Sequence, residues 1–161
     1  MLCATMAFAG CDKENKTDDP GSTDPIENTA DVTYAIDGGA DFLLIFDAEV
    51  KYTDAEGKTA TEKISSLPWS KELTGIELPY TAEMDITLTA RESYEEKDLY
   101  EVGFGNAISY ETSDGRTYGS LNVSRQTFGK DKMAQYQELM LSKSFYKKYH
   151  FYKISHNKHR Q

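Results

Sequence analysis

The chain has 161 residues, 39% of them hydrophobic, and a net charge of −9, which is enough apolar material for one domain with one core. The charge is divided: residues 1–141 hold 12 basic and 27 acidic side chains, a net of −15, while the last twenty residues hold six basic side chains and no acid. An acidic body argues against nucleic acid as a partner, because phosphate affinity comes from Lys and Arg, and cysteines only at positions 3 and 11 exclude disulfides, thiolate nucleophiles and Cys-based metal sites from the folded domain.

The first ten residues are uncharged, mostly apolar and end in small side chains. That is the pattern of the apolar core and cleavage site of a secretory signal, and we expect residues 1–10 to be a signal peptide. No Lys or Arg precedes Cys11, so the expected basic start of that signal lies upstream of Met1. The run is too short to span a bilayer, which takes about 20 apolar residues. Its close, Phe8-Ala9-Gly10-Cys11, resembles a bacterial lipobox. The resemblance implies cleavage before Cys11 and a diacylglycerol on its thiol. The expected location is extracytoplasmic, lipid-anchored to a bacterial membrane, with the outer membrane or cell surface favoured. Residues 11–30 then read as the lipidated cysteine and an acidic tether. Between Asp12 and Ala30 the only large apolar residue is Ile26, so the segment cannot bury enough surface to offset the entropy of ordering it. As a coil it would hold the domain roughly 25 Å from the lipid.

From Val32 the pattern alternates. Val32–Ile36 reads as a first strand, closed by Asp37-Gly38-Gly39. Leu44, Phe46, Ala48, Val50 and Tyr52 share one face of a second, with Asp47, Glu49 and Lys51 on the other. Asp54-Ala55-Glu56-Gly57 turns the chain, and Lys58–Leu67 is a shorter strand ending at Pro68-Trp69. Ala82, Met84, Ile86, Leu88 and Ala90 line another. Tyr100, Val102, Phe104, Ile108 and Tyr110 read as one face of the next, followed by a Thr112–Gly115 hairpin turn and a strand over Arg116–Ser124. The period then changes. Met133, Tyr136 and Met140, with Leu139 and Leu141 alongside, predict a helix over about residues 130–142. Phe145–Ile154 reads as a last strand, aromatic on both faces. The expected fold is all-β: an immunoglobulin-like antiparallel β-sandwich of about seven strands, with one short C-terminal helix followed by a last strand. We place the sandwich at residues 31–126, with residues 127–161 packed on the same domain.

Three segments in order, Val32–Gly38, Val50–Lys58 and Leu67-Pro68-Trp69-Ser70, resemble the extracytoplasmic domain of the small mycobacterial membrane proteins called MmpS. The resemblance implies a small immunoglobulin-like sandwich and, more distantly, an accessory role beside a large transporter. The chain departs from that family in having a lipobox in place of a transmembrane helix, no cysteine pair in the sandwich, and a helix and aromatic strand after Phe128.

Catalytic sets are hard to assemble. The only histidines are His150, His156 and His159, and there is no Gly-x-Ser-x-Gly elbow. Acids are abundant but fall on polar strand faces and in the tether, where a catalytic pair and a solvated face look alike. His156 and His159, three apart, have the spacing for a metal on one side of a helical turn; the alternative is a frayed basic terminus. Asp54, Glu56 and Asp114 offer oxygen ligands for calcium, against the habit of Asp in turns of capping its own backbone. Trp69 is either a plug between the sheets or an exposed platform for sugar or peptide. Tyr149 and Tyr152 in the aromatic, cationic C-terminus either complete a sheet or offer an edge to a partner strand or glycan. The reading is a non-enzymatic, lipid-anchored cell-envelope binding or accessory module. Its candidate binding residues are Trp69, Tyr149 and Tyr152. Its expected partners are membrane lipid through acylated Cys11 and an envelope protein or glycan, with no nucleic acid and no cofactor. The alternatives are a structural or adhesive spacer and, behind it, a metal or haem carrier using the C-terminal histidines.

Overall fold

The computed structural model describes residues 29–112 and 115–153. The signal peptide, Cys11, the acidic tether up to Asn28, Asp114, His156 and His159 lie outside the described residues; Thr29 and Ala30, expected at the end of the tether, instead begin β1, paired with β4 and with Ala30 buried. Among the described residues ten strands are formed, all paired antiparallel: β1 Thr29–Gly38, β2 Phe46–Thr53, β3 Thr59–Ile64, β4 Trp69–Glu77, β5 Tyr80–Ala90, β6 Leu99–Val102, β7 Phe104–Thr112, β8 Thr117–Tyr118, β9 Gln126–Gly129 and β10 Lys147–Phe151. A short helix α1, Phe42–Ile45, precedes β2, and a helix α2, Met133–Leu141, precedes β10. One sheet has the order β4-β1-β7-β8, the second β10-β5-β2-β3, and β6 pairs with β9 in a small third sheet. The fold is all-β and sandwich-like, with one short C-terminal helix followed by a last strand.

Alternation builds the core. Val32, Tyr34 and Ile36 of β1, Ala48, Val50 and Tyr52 of β2, and Ala82, Met84 and Ile86 of β5 all turn inward and are buried, as period two requires of strands with one wet face. A second cluster sits at the far end of β1, where Phe42, Ile45 and Phe46 meet Tyr100 and Val102 of β6 and Met133 and Met140 of α2. It holds α2 on the end of the sandwich. Asp41 stitches the same end: its carboxylate accepts the Glu101 N–H at 2.8 Å and pairs with Lys97 at 2.6 Å. Burial acts against its charge, but these two donors hold the Asp41 carboxyl below its ordinary range.

Four local readings need correction. β4 was absent from the sequence pattern. Leu73 and Ile76 both face the core although they are three apart, because the pairing with β1 steps from Ala30↔Ile76 to Val32↔Leu73 and leaves an extra residue on β4. This bulge is held by Asp31, whose carboxylate accepts the Gly75 N–H at 2.7 Å. The row Tyr100–Tyr110 is two strands in two sheets, broken at Gly103 (φ 145°); Tyr100 and Val102 belong to the end cluster and Ile108 to the main core. Leu44 lies in α1 rather than in the strand that follows. The strand expected over Arg116–Ser124 is only Thr117–Tyr118, after which the chain leaves the sheet and its Asn122 and Ser124 carbonyls crowd Gly105 and Gly103.

Tyr34 lies at the centre of the main core. It is fully buried; its hydroxyl donates to the Thr53 carbonyl at 2.8 Å and lies 3.3 Å from that of Tyr80. Burial first, then the Tyr80 hydroxyl, raises its pKa far above the ordinary phenol range. An unfolded Tyr ionises near about pH 10, so the stability held by the neutral buried phenol is complete below that pH and is lost as pH rises past it. We expect a steep fall of the unfolding free energy above about pH 10. Tyr34→Phe should cost about 1 kcal/mol at neutral pH and flatten the alkaline limb. Urea midpoints measured from pH 7 to pH 11 check this; identical alkaline slopes in the two proteins contradict it.

Candidate functional site

The sandwich has two lateral sides. At the β3–β4 side the two sheets are tied by a polar cluster. The Tyr52 hydroxyl donates to Glu62 of β3, and Lys71 of β4 pairs with the same carboxylate at 3.3 Å. The Tyr52 hydroxyl, against partial desolvation and with help from Lys71 and the Trp69 indole, holds Glu62 below the usual carboxylate range. Trp69 belongs to this closure. It is half-buried, packs on the main core and has its ring 5.8 Å from that of Tyr52. Its position is that of a plug at the edge rather than an exposed platform.

The opposite side, packed by β10 against β7, is open only in that its outermost rings are left uncovered. Among the described residues β10 is the last strand of its sheet, and β7 has the two residues of β8 on its outer flank, paired as Tyr110↔Tyr118 and Glu111↔Thr117. β10 runs beside β7 across the sandwich: Phe145 meets Phe104 edge-on at 4.9 Å, the Asn106 side chain donates to the Phe145 carbonyl at 2.8 Å, and Phe151 lies 4.3 Å from Tyr110. Register fixes which β10 side chains face inward. Lys147, Tyr149 and Phe151 oppose Met84, Ala82 and Tyr80, all buried, and therefore share the inward row. Lys148 and His150 point the other way; Lys148 pairs with Glu83, and His150 Nδ1 lies 2.9 Å from the Thr81 hydroxyl.

Aromatic rings fill this side. Tyr118 stacks on Tyr110 at 4.7 Å and 12°, Tyr110 touches Phe151, and Phe151 stacks on Tyr80 at 6.4 Å and 12°. Burial, and then the neighbouring Tyr118, raises the Tyr110 phenol. The outermost rings are not covered: Tyr118 is 42% exposed and Tyr149 45%. Tyr152, 71% exposed, follows the strand with its ring 6.4 Å from His150. The three sequence candidates thus fall apart. Trp69 lies at the closed side, Tyr149 at the open side, and Tyr152 beyond the strand end next to an outward residue. Two residues of the open side were missed, Tyr110 and Tyr118. The signal was present, since a hairpin turned at residues 112–116 pairs them directly.

Other chemistry in the described residues is engaged locally. Asp54 accepts the N–H groups of Glu56 and Lys58, both at 2.9 Å, and Glu56 pairs with Lys58, so this turn's acids cap the turn. Among the described residues no three His, Cys, Asp or Glu side chains stand together to hold a metal ion. A surface hollow of about 350 Å³ is lined by Thr29, Ala30, Asp31, Glu111, Thr112 and Gly115, and its Asp31 is spent on the β4 bulge. A second, of about 270 Å³, lies along α2 between Phe128, Tyr136 and Leu139. No helix among the described residues is long and apolar enough to cross a membrane. No protein-family model, no curated protein and no solved structure matches the chain.

Proposed function

We propose that the protein is a non-enzymatic, lipid-anchored binding or accessory module of a bacterial cell envelope, held outside the cytoplasm through Cys11 and meeting its partner with the open β7–β8–β10 side. The observation that carries the reading is the close Phe8-Ala9-Gly10-Cys11 on an apolar run, followed at once by an acidic, almost apolar-free segment. The fold agrees with a binding role in one respect: one lateral side is tied shut and the other leaves half-exposed tyrosines on a rigid frame. The mechanism is tethering, in which the anchor raises the local concentration of the domain around envelope partners.

The immunoglobulin-like form of the sandwich is part of this proposal and draws support from strand order. β4-β1 and β10-β5-β2-β3 follow the neighbour order E-B and G-F-C-C′ of an immunoglobulin sandwich. β7 takes the flank of β1 where a first strand would lie. The segment from β6 to α2 is inserted where a short F–G hairpin would be.

Cleavage and acylation at Cys11 are tested by intact mass of the protein expressed from its own locus in a Gram-negative host. The expected product begins at Cys11 and carries acyl chains, and Cys11→Ser moves the protein from the membrane to the soluble fraction. A mature chain with an unmodified Cys11 overturns the reading.

A further inference from the structure

We propose that the open lateral side is a binding strip for a uronate-bearing polysaccharide, with the rings of Tyr118, backed by Tyr110, and Tyr149 as stacking surfaces and Lys147 as the contact for a sugar carboxylate. This rests on the envelope reading for where the ligand is met; the strip itself needs no anchor.

Three observations point the same way. The first is exposure without freedom. A ring that only completes a core is covered, yet Tyr118 and Tyr149 leave more than two fifths of their surface in solvent. Tyr118 is nevertheless fixed by its stack on Tyr110, which rests on Phe151, itself stacked on Tyr80. The Tyr149 backbone is fixed by strand pairing with Ala82, two residues from Phe151 in the same row, which sets the direction in which its ring leaves the strand. Rigid tyrosines give contact area at low entropic cost. Their electron-rich faces suit the polarised C–H groups on one face of a pyranose ring, by the same quadrupole argument that governs aromatic contacts.

The second is charge. The inward row from Asn106 to Tyr110 on β7 and from Lys147 to Phe151 on β10 contains no carboxylate. Lys147 has no ion pair among the described residues, whereas the adjacent Lys148 is bound to Glu83. Elsewhere most described lysines are matched, as Lys58, Lys63, Lys71, Lys97, Lys130 and Lys132 show. An unmatched lysine in an acid-free strip on a body of net −15 selects for an anionic group locally, and repulsion from the rest of the body is screened beyond about 8 Å at physiological salt.

The third concerns the kind of anion. An acidic peptide joining the sheet would need a clean edge, but β10 carries two lysines in five residues and β8 spans two residues, both devices that discourage strand addition. What the side offers is ring faces rather than a straight row of main-chain groups, and that favours a sugar.

The test titrates the full chain calorimetrically with oligogalacturonate, with its fully methyl-esterified neutral form and with poly-L-glutamate. Oligogalacturonate should bind, the ester about tenfold more weakly, and polyglutamate not measurably. Tyr118→Ala and Tyr149→Ala should each weaken binding by about fivefold to tenfold, while Tyr152→Ala, off the strip, leaves it unchanged. Lys147→Gln, at a strand edge that tolerates it, should abolish the preference for acid over ester, so the proposal does not depend on a tyrosine variant folding. Absence of binding to oligogalacturonate, equal binding of polyglutamate, or a preference that survives Lys147→Gln overturns it. The anchor is read separately by the mass at Cys11: an unacylated chain that binds the sugar overturns the anchor and leaves the strip, and an acylated chain that does not bind does the reverse.

Discussion

Phe42→Ala is expected to cost about 3–5 kcal/mol of folding stability, among the large losses for a single side chain in the described residues. Phe42 is completely buried. Its ring lies parallel to that of Phe104 at 4.5 Å and 4.9 Å from that of Phe46, and it belongs to the cluster joining α1, β6 and α2. Truncation removes the transfer energy of a whole ring and leaves a hole between groups fixed by three different elements, so the site cannot collapse around it. Domains of this size have about 5–15 kcal/mol in total, so the variant should unfold at a far lower urea concentration with an unchanged slope. The loss should also reach the open side. Phe104 touches Phe145 edge-on, and Phe145 leads into β10. Amide exchange along β10 should therefore quicken more than in β2. A loss below about 1 kcal/mol, or a β10 no more labile than β2, would show that the end cluster and the lateral side are independent.

Gly103→Ala is the second large effect. Gly103 sits at φ 145° where the chain passes from β6 in the small sheet to β7 in the main one. A Cβ there would lie 2.4 Å from the Ser124 carbonyl and 3.1 Å from Arg125 Cα, so main-chain atoms must move. The Gly103 carbonyl also accepts the Gly39 N–H at 3.0 Å. Backbone strain and overpacking each cost about 1–3 kcal/mol, and we expect about 3 kcal/mol together. Gly75 is the control. It too has a positive φ, 64°, but nothing stands within 4 Å of an added Cβ, so Gly75→Ala should cost only the left-handed penalty of about 1–2 kcal/mol. Thermal or urea denaturation of the two variants measures the difference; equal losses would mean that the Ser124 contact yields freely.

Both effects lie in the region that was hardest to read from sequence. Where one face is buried and the other wet, the pattern is sufficient: Ala48, Val50 and Tyr52, or Ala82, Met84 and Ile86, are recognisable as strands because their spacing alone declares a face. The helix at Met133 is legible as a change of period, and the last strand as an aromatic run after it. β4 was not, because its bulge shifts Leu73 and Ile76 out of alternation, and the bulge exists only because Asp31 on another strand holds it. The split at Gly103 was not, because Tyr100, Val102 and Ile108 keep a strand's spacing while facing two different clusters. Of the site, Tyr149 is recognisable along the chain, but its inward direction depends on pairing with Ala82, and nothing in the sequence separates it from Trp69, which the sheet orders put on the opposite side.

Local matters can be read along the chain: the apolar run ending at Cys11, the acidic segment after it, the separation of negative body from positive end, the strand class, and the late helix and strand. These are properties of neighbours along the chain, where charge, period and turn chemistry act within a few residues. Only the tertiary structure decided which edges are closed and which are open. An aromatic ring becomes a plug or a platform according to what a neighbouring strand places beside it, and the groups that settle that, Glu62 and Tyr52 for Trp69 and Tyr110 for Tyr118, are brought there by sheet packing and strand pairing.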